Sequence, residues 1–459
     1  MLKRLRAFFA PQDMTSGNIL QLIIRFSVPL ILGNFAQQLY STVDSIIVGR
    51  VVPGGLAAIG ATFPIINFSI LFFAAIATGA GVMVAQYFGA RDQENLAKTV
   101  GNTLMVILFA TIILTGILIP LARPFLKIIN TPADILDQAT QYLQISFLGF
   151  LGAAYFNIGS GILRGIGDSF TPLLFLLIST ILNTVLDIIF VWYFFWGVAG
   201  AAWATIISQA ISAILCLIQI YRSPAIRRLE KKDIKPDFIF LKKLIRLGIP
   251  AGITQGIFSL AMLLVQNLVN LMGTVIVEVN TIVIRLDGFV MMPSQTFGMV
   301  ATTFIGQNIG ARKINRVKAG AKKVSQVALA VAAFLSLLLF LFGKQAFRLF
   351  TTDPYVIDIA YKMMLILIPG YIAFSQTSSL GGVMRGAGDT ITPMWIAIFS
   401  TILFRVPLAY LLAHLTKSEV WPHGHPYTVN IALLIGWLLA SVLTIIYYRK
   451  GNWRDKSVV

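Results

Sequence analysis

From residue 99 to residue 122 the chain reads TVGNTLMVILFATIILTGILIPLA, without a single charge. A helix rises 1.5 Å per residue, so about 20 residues of this kind cross a hydrocarbon core of about 30 Å. Uncharged stretches of similar length recur at 138 to 163, 288 to 311, 324 to 343 and 363 to 384. In lipid the backbone of such a segment must satisfy its own hydrogen bonds, which leaves helices or closed barrels. Uninterrupted apolar runs of this length, without period-two alternation, are helices. Only 12% of the 459 residues are charged and 57% are hydrophobic, so water is not the main solvent of this chain.

The longer apolar blocks break at turn signals such as PGG at 53 to 55 and WGVAG at 196 to 200. The sequence then predicts an all-α integral membrane protein with twelve spans. They cover 26 to 50, 56 to 80, 99 to 121, 140 to 162, 170 to 194 and 199 to 221, then 247 to 271, 276 to 303, 324 to 343, 360 to 380, 392 to 414 and 428 to 448. The basic start MLKRLRAFFAPQDM reads as an interfacial lead-in and not as a cleaved signal, because its apolar part is short and no small-residue cleavage site follows. Cys216 is the one cysteine and falls in an apolar span, which excludes an intrachain disulfide and reads as a small buried hydrophobe.

Of the 36 Lys and Arg residues, 27 fall on the termini and the even-numbered loops and 7 on the odd-numbered loops. By the positive-inside rule both termini are expected in the cytoplasm of a multi-pass cell-membrane protein. The net charge of +18 then faces anionic membrane lipids and requires no nucleic acid. The richest basic segment, 222 to 243, reads as a solvated linker at the lipid surface, between an N-terminal lobe (1 to 221) and a C-terminal lobe (244 to 459).

A second constraint is a repeat. RGIGDSFTP at 164 to 172 returns as RGAGDTITP at 385 to 393, and QYFGAR at 86 to 91 as QNIGAR at 307 to 312. RFSVP at 25 to 29 pairs with RLGIP at 246 to 250, and STIL at 179 to 182 with STIL at 400 to 403, all at one ungapped offset of 221. Two copies of a six-span unit follow. Six is even, so both copies enter the membrane in the same direction, as a parallel repeat about an axis along the membrane normal with a central cleft between lobes. The RGxGD loops lack the strand and the Lys-Ser/Thr of a phosphate loop. They read as tight reversals in which Asp168 or Asp389, with Ser169 or Thr390, caps the next helix and Pro172 or Pro393 suits its first turn.

A carboxylate inside the hydrocarbon costs roughly 2.5 to 3.5 kcal/mol on insertion scales, so each is a functional candidate. The candidates are Asp44 in span 1, Asp187 in span 5, and Glu278 and Asp287 around span 8. Asp44 and Asp187 fall at similar depths below the outer ends of their spans. Asn183 lies four residues before Asp187 and shares its helix face, and Ser41 and Ser45 flank Asp44. Carboxylate, amide and hydroxyl oxygens suit a hard monovalent cation or a proton. Under the offset Asp44 becomes Val265 and Asp187 becomes Leu408, so a cation site is expected in the first half only. Arg285 and Asp287 are two apart and point away from each other, so each needs another partner, Arg405 being one candidate; a buried charge network and a substrate or gating contact both fit. Tyr40, Phe63, Phe68 and Phe289, with Met262, Met291 and Met292, are candidates for an adaptable apolar cleft, although ordinary helix packing also explains them. His414, His423 and His425 lack the spacing of a metal site and read as a polar outer loop.

The order QxxGAR, RGxGD(S/T)xTP in each half, together with LYSTVDSIIVGR at 39 to 50 and NTVLDIIFVWYFFWGVAGAAWAT at 183 to 205, resembles the multidrug and toxic compound extrusion (MATE) family over essentially the whole chain. The resemblance implies an antiporter that exports amphipathic, mostly cationic compounds in exchange for sodium ions or protons by alternating access. It needs no other cofactor and is expected to work as a monomer. It also carries a coupling-cation site onto Asp44, Asn183 and Asp187, with Asn157 and Thr205 as further members. Span 7 carries Gln255, Gln266 and Asn267 and span 10 has no central acid, which is the DinF-like pattern and departs from the NorM-like one. The alternatives are a lipid-linked saccharide flippase of the same superfamily, and a channel or intramembrane enzyme. The acids of the first half argue against the flippase; no filter sequence, HExxH or nucleophile elbow supports the others. Pro29 in span 1 is the candidate bend point for a conformational change.

Overall fold

The computed structural model describes residues 11–129 and 131–458, without the side chains of residues 39–46 and 56. Twelve helical rods follow one another along the chain. They are α1 (Ile19–Val51), α2 (Gly55–Gly89), α3 (Gln93–Ile128), α4 (Ala133–Leu148 and Phe150–Gly165), α5 (Phe170–Asp187), α6 (Gly197–Arg222), α7 (Phe238–Leu271), α8 (Thr274–Gly310), α9 (Ile314–Arg348), α10 (Pro354–Gly386), α11 (Ile391–Leu415) and α12 (Tyr427–Lys450). Among the described residues ten of these helices are long and apolar enough to span, and the two pieces of α4, bent by 48°, make an eleventh. The remaining rod, α8, is 37 residues long and carries Glu278, Arg285 and Asp287. Most rods overrun the apolar windows read from the sequence, because helices continue past the hydrocarbon wherever capping and packing still hold them.

The backbone repeats as the sequence does. Arg91 and Arg312, 221 residues apart, both take a positive φ (57° and 55°) that non-glycine residues seldom adopt. Gly167 (φ 90°) and Gly388 (φ 99°) do the same in the two RGxGD loops. In each loop the same two bonds close the helix: Gly167 N–H donates to Arg164 O (3.0 Å) and Asp168 N–H to Leu163 O (2.9 Å), and Gly388 and Asp389 donate to Arg385 O and Met384 O (both 2.9 Å). Asp168 and Asp389 are the caps, accepting from the N–H groups of Thr171 (2.9 Å) and Thr392 (3.1 Å). Ser169 and Thr390 make no side-chain cap, so the capping expected of the pair falls on the aspartate alone.

Packing repeats too. In the first half the second piece of α4 is sandwiched between α2 and α6, and in the second half α10 lies between α8 and α12. Each half has its own core: Phe73, Phe147 and Phe150 stack edge to face in the first, with centroids 5.4 and 5.1 Å apart. Met363, Met364, Leu367 and Tyr371 line the second. The chain forms two compact units, one built mainly of residues 24–252 and the other mainly of 253–457. Cys216 is a free, buried thiol.

The basic segment keeps most of its residues exposed and is tied to α3 at several points. Gln93 and Asn102 on α3 serve its backbone: Gln93 Nε2 donates to Ala225 O (3.1 Å), Gln93 Oε1 accepts from Arg227 N–H (3.1 Å), Asn102 Nδ2 donates to Asp233 O (3.1 Å) and Asn102 Oδ1 accepts from Asp237 N–H (2.7 Å). Asp233 is fully buried and paired with Arg227 at 2.7 Å. Side-chain amides satisfying several main-chain groups at once turn this strip into part of the first unit. Lys231 and Lys232 stay exposed.

Candidate functional site

The only carboxylate buried inside a candidate span among the described side chains of the first unit is that of Asp187, at the end of α5 and at 0% exposure. Asn183, one turn earlier and 1% exposed, faces it, and Thr205 on α6 closes the third side. With its amide nitrogen turned to the acid, Asn183 donates to Asp187 Oδ2 (3.1 Å) and accepts Thr205 N–H (3.3 Å). The opposite amide orientation keeps only a 3.4 Å contact to Thr205 Oγ1 and points oxygen at oxygen. A neutral amide thus orients the carboxylate.

The helix changes winding at the same point. Directly after Asp187 the chain enters a π-helical stretch, Ile188–Tyr193. Such bulges free or displace main-chain carbonyls and gather at functional sites. The sequence, read as one continuous span from 170 to 194, gave no sign of it, because periodicity does not distinguish i→i+4 from i→i+5 bonding.

The structure gathers three of the expected cation ligands, Asp187, Asn183 and Thr205. Asn157, on α4, turns its Nδ2 back onto Ala153 O of its own helix at 2.8 Å. Asp44 and Tyr40 lie on α1, and their side chains fall outside the described residues, as do those of Ser41 and Ser45. Of the cleft candidates, Met292 is half-buried with Met291 beside it packed on the second core, whereas Phe63, Phe68, Met262 and Phe289 are exposed.

In the second unit Arg285 is exposed and Asp287 is buried, as their spacing requires. The partner of Asp287 is Tyr371 on α10, whose hydroxyl donates to Asp287 Oδ1. Arg405 forms no ion pair with Asp287 within 4 Å among the described residues. It ends a second π-helical stretch, Ile398–Arg405, which sits just before Pro407, a residue with no N–H to continue the ladder. Gly436 of α12 makes room for Arg405: a Cβ there would lie 3.1 Å from Arg405 Cβ. Trp437 closes over Tyr371 with centroids 5.9 Å apart. Tyr371 was missed by sequence reasoning; its only signal is a phenol in mid-span beside Pro369 and Gly370, in an otherwise apolar run. His425 packs between Trp421 and Tyr427 and accepts Tyr427 N–H (3.3 Å) in the loop between α11 and α12.

Comparison with known proteins adds an independent line. The MatE family model matches the chain twice, at residues 29–189 and 250–411, the second match starting where the offset of 221 carries residue 29. A probable multidrug resistance protein of Bacillus subtilis, YoeA, is 29% identical over 448 residues, covering 94% of both chains. A probable multidrug resistance protein, NorM, of Thermotoga maritima is 25% identical over 95% of this chain and 94% of its own. Among solved structures, MATE in its bent and straight conformations superposes with TM-scores of 0.88 and 0.87 at 24% identity over 95% of this chain, covering 96% and 97% of those chains. An outward-facing multidrug resistance transporter of the MATE family matches at a TM-score of 0.88 and 24% identity, over 96% of this chain and 97% of its own.

Proposed function

Because the chain belongs to the MATE family of membrane transporters, and is therefore no enzyme, we propose that it exports amphipathic, mostly cationic compounds by exchanging them for sodium ions or protons. The observation that carries this reading is Asp187: a carboxylate at 0% exposure inside a candidate span, oriented by Asn183 and Thr205 and set at the start of a π-helical turn. A carboxylate buried at such a place in a span favours the arrival of a cation that cancels its charge. Asp44 of α1 completes the site, with Asn157 as an outer member. Binding of a proton or sodium ion cancels the charge on this half and shifts the equilibrium between outward-open and inward-open clefts, since a ligand moves a conformational equilibrium by as much as it favours one state. Pro29, inside α1, is the bend point for that rearrangement. Tyr40 in the first unit and, separately, Arg285, Asp287 and Met292 in the second are the residues assigned to substrate contact or gating. The protein sits as a monomer in the cell membrane with both termini cytoplasmic, its basic face on anionic lipid.

The test is ethidium efflux from reconstituted vesicles under a sodium gradient and, separately, a proton gradient, for the wild-type chain, Asp44→Asn and Asp187→Asn. Efflux driven by one gradient and lost in both variants is the expected result. Efflux unchanged in Asp187→Asn would remove this residue from the site, and no efflux under either gradient would remove the drug-export reading.

A further inference from the structure

At its basic end the first unit contains a contact that nothing in the transport reading requires. Here α2 and α7 touch backbone to backbone: a Cβ on Gly79 would lie 2.8 Å from Leu244 O, and one on Gly248 would lie 2.8 Å from Ala75 O. Gly252, one turn on, meets Ala75 Cβ in the same way, at 2.7 Å from a Cβ of its own. Small residues four apart let two helices approach in a lipid setting where apolar side chains gain nothing by meeting each other. The seam ends in a polar cluster. Gln86, fully buried near the end of α2, accepts the main-chain N–H of Val458 at 2.9 Å. Lys243, near the start of α7, donates to Val458 O at 2.8 Å and to Tyr87 Oη at 2.9 Å. Both main-chain polar groups of one residue from the segment after α12 are thereby held by side chains of two other rods.

That segment is shaped for the purpose. Trp453 is fully buried, donates its Nε1–H to Tyr448 O (2.8 Å) and stacks on Tyr448 with ring centroids 5.3 Å apart; Arg454 covers its other side at 4.8 Å. Val458 itself packs against the first core. The glycines and the lysine do not repeat, since the offset carries Gly79 to Val300, Gly248 to Ser27 and Lys243 to Leu22, whereas Gln86 recurs as the equally buried Gln307.

We propose that residues 451–458 form a clasp, in which Val458 bridges Gln86 and Lys243 and holds the basic ends of α2 and α7 together, so that opening of the transporter at that end requires Val458 to leave. The clasp rests on the alternating-access reading for its consequence, but its existence can be measured separately.

Spin labels placed at Lys456→Cys and Glu94→Cys in a Cys216→Ala background report the docking by pulsed distance measurement in lipid nanodiscs. One short, narrow distance is expected for the otherwise wild-type chain. Lys243→Met, which removes both lysine bonds, is expected to raise the detached population about tenfold, and Lys243→Arg, which retains the charge and the donors, to restore most of the docked one. Deleting residues 456–459 is expected to change the ethidium efflux rate at least about threefold, while the folded fraction in detergent stays as in the wild type. Distance distributions identical in the wild type and Lys243→Met would overturn the clasp, and so would an efflux rate untouched by the deletion. If no gradient drives efflux in any form of the protein, the transport reading fails while the distances still decide whether the clasp exists.

Discussion

Asp287, Tyr371 and Arg405 offer a direct test of how the second half handles its buried charge. Asp287 is 7% exposed and Tyr371 1% exposed, and the stem of Arg405 is seated against Gly436. If Arg405 is the built-in counter-charge of Asp287, Arg405→Met leaves a buried carboxylate with one phenol and no cation, a situation that costs about 3 to 5 kcal/mol. Asp287→Asn on its own strands the guanidinium and loses the charged acceptor of Tyr371, at a similar cost. The double variant Asp287→Asn with Arg405→Met removes both charges together. It should be less destabilised than the sum of the two by at least about 2 kcal/mol, near the upper end of coupling energies for residues that share one network. The assay is reversible unfolding in mixed micelles, run as a double-mutant cycle. Single-variant losses that add to within about 0.5 kcal/mol in the double variant would show that the two charges do not sense each other, and the argument would be wrong.

Other consequences are nearer to single contacts. Tyr371→Phe removes one hydrogen bond to a buried carboxylate and should cost about 1.5 to 3 kcal/mol in the same assay. Asp389 accepts the Tyr447 hydroxyl (2.6 Å) as well as its cap bonds, whereas Asp168 accepts from Thr171 and the Phe170 main chain alone among the described residues, so Asp389→Ala should destabilise more than Asp168→Ala, the latter by about 1 kcal/mol. Gly167→Ala places a side chain at φ 90° and a Cβ 2.1 Å from Gln12 O, and should lower the melting temperature measurably through strain of at least about 1 kcal/mol. In its loop, Asp168 is pushed above the usual carboxylate range by burial, against the opposing pull of its Thr171 bonds. The folded chain therefore binds this proton at a pH where the unfolded chain has released it, and the group's contribution to stability falls as pH rises from the unfolded value through the folded one. Asp168→Asn should abolish that part of the slope in a stability-versus-pH series.

The helices were legible in the sequence for the reason that makes membrane proteins readable at all: in lipid the backbone has few choices, and an uncharged run such as 99 to 122 can hardly be anything but a span. The repeat was legible because its markers are charged or glycine-rich, as at Arg91 with Arg312 and Gly167 with Gly388, and the structure gives each pair the same left-handed backbone. Interactions that join distant segments were not legible. Nothing in the local pattern of 222 to 243 says that Gln93 and Asn102 will take up its main-chain groups, and nothing around Tyr371 says that its hydroxyl will meet Asp287. The π-helical turns were hidden as well, since a one-residue change of winding after Asp187 leaves the apolar pattern almost untouched. In the proposed coupling site the sequence picked out Asp187 as an acid within an apolar span and Asn183 from its four-residue spacing, and Thr205 came only with the resemblance, because it stands on another helix.

The two halves share a backbone plan but not a charge plan, and the difference bears on mechanism. Carried through the offset, Asp187 meets Leu408 and Asp44 meets Val265, while Asp287 answers to Ile66, Tyr371 to Phe150 and Arg405 to Thr184. Each of these charges is therefore matched by a neutral residue in the other half, whereas the capping pair Asp168 and Asp389 is shared. Asp187 is buried beside the amide of Asn183, so on the proposed reading its half is the one whose charge a cation from solution cancels. Asp287 holds the Tyr371 hydroxyl on one oxygen, and Arg405, on the reading tested above, is the counter-charge its half carries within the fold. An exchanger needs one site whose occupancy changes and a partner half that stays electrically fixed while the other switches. On this argument Asp187→Asn should abolish dependence on the driving ion without unfolding the protein, whereas Arg405→Met should first be felt as lost stability. The reverse pattern, ion dependence lost in Arg405→Met and stability lost in Asp187→Asn, would assign the exchanging charge to the wrong half.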